Sequence, residues 1–387
     1  MIIWQCIFWL SVLLIMHSYL LFPWLLKILA SRKQENKDKF KTDDLPPVTV
    51  VMSVFNEQAI IKEKIESVLR SNYPANKLSI LVGSDASDDG TEEILEQYQK
   101  DNKNCKAVLF KERQGKPAVI NLLMKEVKDE IVVMTDAKVI FHQDTVKGLA
   151  EHFKNESIGI VGGNILNESI QKDGVSIQER AFMSREILMK YREGLIWGST
   201  IGIYGAIYAM RKKLYTEVPP GFSVDDFFIT MNVLRKKQKA ILDIKVLSYE
   251  DVPNLLSEEY RRKVRIATGN YKNMTYFFKE LLTPWKGKSF SYFSHKVIRW
   301  IGPFIFALFI LANALLFNHH IFYTYSFYGM LLVVSFPIID FFLSKIGIHI
   351  VFLRFVRHFT SMNIALLQGF INNLRGVKAH VWRPTER

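Results

Sequence analysis

Charged residues vanish from three stretches of the chain and return between them in a regular pattern. Met1 to Leu26 contain no Asp, Glu, Lys or Arg, a run longer than the ~20 apolar residues that cross a bilayer. A cleaved signal peptide is the competing reading, but no basic segment precedes the run and no small-residue cleavage site follows it. Trp300 to Ile339 are also uncharged, and Asn318-His319-His320 divides them into two pieces. Each piece is about long enough to span. This predicts a helical hairpin whose two histidines sit in an interfacial turn rather than on a metal. His358 to Leu374 form the third stretch, but they contain Asn363, Gln368, Asn372 and Asn373, with Arg354 and Arg357 just before them. A short span and a helix lying in the interface both fit.

Between these stretches the pattern changes. Residues 31–45 are polar and charged and end at Pro46-Pro47. Val48 to Val54 then read as a buried strand, and Ala59 to Arg70 carry a helical pattern. Strands follow at Leu78 to Val82, Ala107 to Phe110 and Glu130 to Met134. Helices are expected at Thr91 to Lys100, capped from Ser87, Asp88 or Asp89, and at Lys116 to Val127. Alternating strand and helix implies an α/β fold, a mostly parallel sheet covered on both faces. The resulting division is an N-terminal span over 1–28, a basic linker over 29–45 and a soluble domain over 46–283. An interfacial segment over 284–295, a membrane region over 296–374 and a tail over 375–387 complete it.

Composition supports a charged domain on membrane helices: 49% of residues are hydrophobic, 23% are charged, and there are 28 Phe and 15 Tyr. The net charge of +13 does not point to nucleic acid, which would need a basic face with interleaved aromatics in the soluble part. Instead Lys27, Arg32, Lys33, Lys37, Lys39 and Lys41 directly follow the first span. Such residues mark the cytoplasmic side and attract anionic lipid, so the N-terminus is expected outside and residues 27–295 inside. Arg375, Lys378, Arg383 and Arg387 would hold the tail inside, whereas a third span would place it outside. Cys6 lies in the span and Cys105 in the domain, so no disulfide is expected.

The candidate chemistry lies just past the strands, where an open α/β sheet collects its ligand groups. Asp85 begins Asp85-Ala86-Ser87-Asp88-Asp89-Gly90-Thr91. This is an ordinary polar turn or a site recognising a base or ribose. Gln114-Gly115-Lys116-Pro117 opens a helix whose N-terminus favours phosphate. Asp136 follows Ile131 to Thr135 and could cap a helix, or hold Mg2+ or Mn2+ against a diphosphate. Asp225-Asp226 could offset a helix dipole or supply a general base for a hydroxyl nucleophile. Arg261, Arg262, Lys263 and Arg265 form a basic face turned to solvent or membrane, or a diphosphate grip.

The order of these motifs resembles the family 2 glycosyltransferases, more narrowly their membrane-bound, polysaccharide-synthase-like members. The resemblance rests on Ser53-Val54-Phe55-Asn56-Glu57, the Asp85–Thr91 turn, Gly115-Lys116 with Asn121, Asp136, Gly205-Ala206, Asp225-Asp226, and Arg262 with Arg265. It covers residues 46–300, and Ser294 to Trp300 and Trp382 to Arg387 also look like that subgroup. It implies a glycosyltransferase-A fold, Rossmann-like, as a cytoplasmic domain flanked by transmembrane helices in a bacterial inner membrane. It implies inverting transfer of a hexose or N-acetylhexosamine from a nucleotide-diphospho-sugar, with UDP as the expected nucleotide. The acceptor would be a lipid-linked saccharide or a growing polysaccharide. A second copy or a synthase subunit is left open as partner. By the same resemblance Asn56, Glu57, Asp85, Lys116, Asp136, Arg262 and Arg265 bind the nucleotide-sugar. Asp136 holds the metal, Asp225 and Asp226 are catalytic with Asp226 as base, and Gly205, Ala206 and Ile266 meet the acceptor.

Three departures stand out. Lys138 occupies the place of the second metal-binding acid, Asp225 that of a Glu, and Arg262 and Ile266 those of a Gln and a Trp. A Trp stacks on sugar and Ile266 cannot. A catalytically inactive membrane scaffold or partner subunit is the alternative, with Lys138 its main support.

Overall fold

The computed structural model describes residues 1–167, 176–250 and 255–376. Lys378, Arg383, Arg387 and the Trp382 to Arg387 motif lie outside the described residues.

Eight strands form one sheet. They are β1 (Val48–Val54), β2 (Leu78–Ser84), β3 (Cys105–Leu109), β4 (Ile131–Thr135), β5 (Ile140–Phe141), β6 (Ile158–Asn167), β7 (Ile207–Arg211) and β8 (Lys239–Glu250). The order is β3-β2-β1-β4-β7-β6-β8-β5. β1 to β4 pair in parallel. β7 runs antiparallel to both β4 and β6, and β5 antiparallel to β8. Side-chain alternation builds two cores: Val48, Val50, Met52 and Val54 enter one, and Val51 enters the other. The helices Gln58–Leu69, Thr91–Asp101 and Lys116–Glu126 connect the parallel strands, as the alternating pattern predicts.

Further helices belong to the second half of the domain. Ser176–Trp197 precedes β7, Asp225–Arg235 follows it, and Leu256–Tyr276 follows β8. Leu256–Tyr276 packs against the loop entering Asp225: Asn273 Nδ2 donates to the Val224 carbonyl at 3.1 Å. The helix Val351–Leu374 in turn lies against Leu256–Tyr276 at backbone distance. A Cβ on Gly369 would fall 2.4 Å from Ala267 Cβ and 2.8 Å from the Thr268 nitrogen. The third uncharged stretch therefore packs along the catalytic domain.

Among the described residues, two helices are long and apolar enough to cross a membrane, Ile2–Ala30 and Ile321–Lys345. The predicted first leg of the hairpin is different. Gly302–Leu315 has 14 residues, about 21 Å of helix against ~30 Å of hydrocarbon. Ile301, just before Gly302-Pro303, separates it from Gly287–Trp300, and the two segments meet at 63°, so that leg is one half of a bent pair. At the hairpin tip, His320 Nδ1 accepts the Phe322 N–H at 3.1 Å and caps Ile321–Lys345.

Candidate active site

Each strand end contributes a side chain to one rim. After β1, Asn56 adopts a positive φ of 52° and clamps the neighbouring turn. Its Nδ2 donates to Asp88 at 2.7 Å, and its Oδ1 accepts the Asp88 N–H at 3.0 Å. Glu57 is buried, its N–H donates to Thr91 Oγ1 at 2.9 Å, and its carboxylate lies 3.8 Å from Lys138 Nζ. After β2, buried Asp85 accepts the N–H groups of Gln114 and Gly115 at 2.7 and 3.0 Å. Arg113 Nε lies 3.6 Å from the same carboxylate, and its guanidinium stacks 3.4 Å from the Phe55 ring centroid. Asn56 and Asp85 thus shape the loops that precede Lys116.

Lys116 opens its helix and reaches across to Asp136 after β4, 2.6 Å away, and towards Asp225, 3.9 Å away. Burial pulls its ammonium pKa down, but Asp136 and Asp225 outweigh that and raise it. Asp225 and Asp226 begin Asp225–Arg235, where free N–H groups favour carboxylates. Asp226 Oδ2 accepts the Gly205 N–H at 2.8 Å, and Oδ1 accepts the Phe227 N–H at 2.7 Å. A Cβ at Gly205 would lie 3.1 Å from Asp226 Oδ2 and press on the carboxylate. Ala206 joins the rim through its carbonyl, which accepts the Thr135 hydroxyl at 2.9 Å. Burial and the Asp225 charge push the Asp226 carboxyl up to about 6, although Lys190 and Lys116 pull the other way.

The two arginines of the basic run part company. Arg262 is committed to carboxylates, with Nε and Nη2 on Glu259 at 2.8 and 2.9 Å and Nη2 on Glu179 at 2.8 Å. Lys263 joins the same two acids at 3.1 and 2.9 Å. Arg265, three residues on, feels the fields of Asp136, Asp225 and Asp226. Ile266 follows it, half-buried on the same helix. The structure therefore brings together Lys116, Asp136, Asp225, Asp226, Gly205 and Arg265, with Asp85 behind the Gly115 turn and Arg262 drawn back onto the buried acids.

Sequence reasoning missed Lys190, Tyr204 and the acids of Ser176–Trp197. Lys190 is buried with its ammonium 3.5 Å from the Tyr204 ring centroid. Burial first, then Lys296, brings it down to about 7. Glu179, Glu186 and Glu193 recur every seven residues, a spacing that puts them on one helix face, and that signal was readable. Among the described residues, Glu151, His152 and Asp243 also bring three potential ligand atoms within 4.8 Å of one another. Lys39 already places its ammonium 2.6 Å from Glu151 and 3.3 Å from Asp243, which ties the basic linker to β8.

An α/β sheet of this order, with acids at the strand ends, is the frame of a glycosyltransferase-A enzyme. Residues 49–218 match the family model described as Glycosyl transferase family 2; the chain carries a family 2 glycosyltransferase domain. The chain is similar to the glycosyltransferase AglE of Haloferax volcanii, 29% identical over 124 residues, which is 32% of this chain and 41% of that protein. It is also similar to poly-beta-1,6-N-acetyl-D-glucosamine synthase of Staphylococcus aureus, 24% identical over 242 residues, 61% of this chain and 57% of that protein. It thus spans about half the length of the curated relatives it matches. Among solved structures, the mannosyltransferase PcManGT of Pyrobaculum calidifontis, in complex with GDP-Man and Mn2+, superimposes with a TM-score of 0.69. That match has 19% identity and covers 96% of this chain and 99% of that one. It shows the glycosyltransferase-A fold.

Proposed function

We propose that this protein is an inverting glycosyltransferase. It would move a hexose or N-acetylhexosamine from a nucleotide-diphospho-sugar to a lipid-linked saccharide or growing polysaccharide at the membrane. The observation that carries this reading is Asp226, a half-buried carboxylate held by the Gly205 N–H, with raised proton affinity, beside Lys116 and Arg265. The donor lies along the strand ends, its nucleotide against the Phe55–Arg113–Asp85 wall. The acceptor hydroxyl gives its proton to Asp226, and its oxygen forms the new bond to the anomeric carbon from the face opposite the leaving group. The bond from that carbon to the diphosphate oxygen breaks, and the electron pair leaves with the nucleoside diphosphate. Lys116 and Arg265 offset the developing charge in a site already organised for it.

UDP is the nucleotide the family resemblance suggests, and the PcManGT complex holds GDP-Man, so both belong in the test. The fold family implies a divalent ion at the acid after β4. Here that motif offers one carboxylate, Asp136, already bonded to the Lys116 ammonium at 2.6 Å, and Lys138 stands at the second position. This donor set does not fit an ion held by the protein, and no step above passes through one. The basic residues after the first apolar helix support a cytoplasmic catalytic domain. Product length decides between addition of one or a few sugars and elongation.

The experiment is nucleotide release by full-length protein in detergent, offered UDP- and GDP-sugars and membrane lipid extract. Release from one donor by wild type, and not by Asp226→Asn, is the expected result. No release from any donor would put the inactive scaffold in its place.

A further inference from the structure

We infer that the nucleoside diphosphate is held and discharged without a divalent ion, with the ammonium groups of Lys116 and Lys138 in the ion's place. The inference rests on the reading of the site as a nucleotide-sugar site. A hard cation such as Mg2+ at a phosphate needs one or two protein carboxylates that are open to it, and completes its shell with substrate oxygens and water. Among the described residues, Glu57, Asp136, Asp225 and Asp226 border Lys116 and Lys138, and lysines face three of these acids. Asp136 and Asp225 face one ammonium, Lys116, at 2.6 and 3.9 Å. That ammonium lies where a cation bridging the two carboxylates would sit. Glu57 faces Lys138 at 3.8 Å. The fourth, Asp226, is committed to the Gly205 and Phe227 N–H groups. An ion entering here would have to displace Lys116 from Asp136 and would meet Lys138 where its second ligand should stand.

The same two lysines are well placed for the work itself. Lys116 is the first residue of Lys116–Glu126, so its ammonium stands at the positive end of that helix dipole, a combination suited to phosphate. Lys138 lies two residues beyond Asp136, beside the end of the adjacent parallel strand β1. Its side chain is only 17% exposed, which keeps its charge little screened by water. Two fixed cations in a half-dry rim can neutralise a leaving diphosphate without the proton and water exchange that a bound ion entails.

The test measures binding of UDP and of GDP to the full-length protein by calorimetry, in EDTA and in Mn2+. Paramagnetic resonance of Mn2+ provides the second readout. Wild type should bind its nucleotide with a Kd that differs less than twofold between EDTA and Mn2+, with no protein-dependent change in the Mn2+ signal. Lys138→Asp restores an acid pair and should make binding at least tenfold tighter with Mn2+ than with EDTA. Lys116→Met should weaken binding about tenfold in both media. A tenfold loss of wild-type affinity in EDTA, or a Mn2+ signal altered by wild type, overturns the inference while leaving the glycosyltransferase reading intact. Binding of neither nucleotide in either medium overturns both.

Discussion

Asp226 combines two features that pull its chemistry in opposite directions. Two backbone N–H groups stabilise its ionised form, while burial and Asp225 oppose it and leave the carboxyl at about 6 instead of 3.8. A base must be ionised to accept a proton, so activity should fall as pH drops through about 6, roughly two units above an ordinary Asp. A kcat/KM profile measures this, and an acid limb near pH 4 would remove Asp226 from the role. Asp226→Asn should lower kcat by roughly 10²–10⁴-fold with donor affinity unchanged; lost affinity would make Asp226 a binding residue instead. Lys190 helps to hold the carboxyl down, so Lys190→Met should move the acid limb above its wild-type position. Gly205→Ala would press a methyl group towards Asp226 Oδ2 and should cost about tenfold or more in kcat, since misplacement by about 1 Å can cost 10². Wild-type kcat in that variant would show that the Gly205 contact does not aim the base.

At the scale of elements, the helix Ser176–Trp197 fastens the helices Gly287–Trp300 and Val351–Leu374 to the catalytic domain. Its buried acids take their partners from three segments. Glu179 holds Arg262 and Lys263 and lies 3.7 Å from His358, while Glu186 holds His295, Lys296 and Arg299. Glu193 closes the row, bonding His295 Nδ1 at 2.8 Å and the Ile201 N–H at 3.1 Å. Burial raises the Glu186 carboxyl, but His295, Lys296 and Arg299 outweigh it and hold it well below 4.5. Its stabilisation is therefore present at neutral pH and is lost only as pH falls through that lowered value. Glu186→Gln leaves buried cations without their counter-charge and should cost on the order of 3–5 kcal/mol. Glu66→Gln, in the solvent-screened pair with Arg70, should cost far less, because water weakens that attraction. Denaturant titration in detergent compares them, and equal small losses would deny the acid row its structural role.

The same row explains what could be read in advance. Predicted β1 to β4 and their helices fall within two residues of the observed elements, because each announces itself by local periodicity. The second half does not: β5 has only two residues, and β6 and β8 pair across 80 residues with register shifts near Gly162. The acids after β4 and before Asp225–Arg235 were legible as chemistry. The partner of Arg262 was not, since Glu179 stands 83 residues away.

Across the whole molecule, the two ends of the long apolar helices carry different chemistry. Phe8 and Trp9 meet Phe309, Phe322 and Tyr323, which gathers the start of Ile2–Ala30, the helix Gly302–Leu315 and the hairpin tip at one end. At the other end Phe22 and Leu26 pack on Met189 of the catalytic domain, and Asp340 pairs with Arg357 of the helix lying on that domain. Leu13, Leu20, Trp24, Leu332 and Val334 stay exposed along the flanks, a contiguous apolar surface that lipid would cover. Helix direction therefore puts Met1 and His319 at the end away from the active site, although the short helix before the tip could cross only together with its bent partner. This gives a direct test. With Cys6 and Cys105 replaced, single cysteines at Lys41 and His319 would be labelled with an impermeant thiol reagent in sealed vesicles of each orientation. Lys41→Cys should react only from the face that bears the catalytic domain, and His319→Cys only from the opposite face. Reaction of both from the same face would make the 63° bend a re-entrant loop, and Ile321–Lys345, which leads back to the helix lying on the domain, would then not cross either, so that two crossings would be lost.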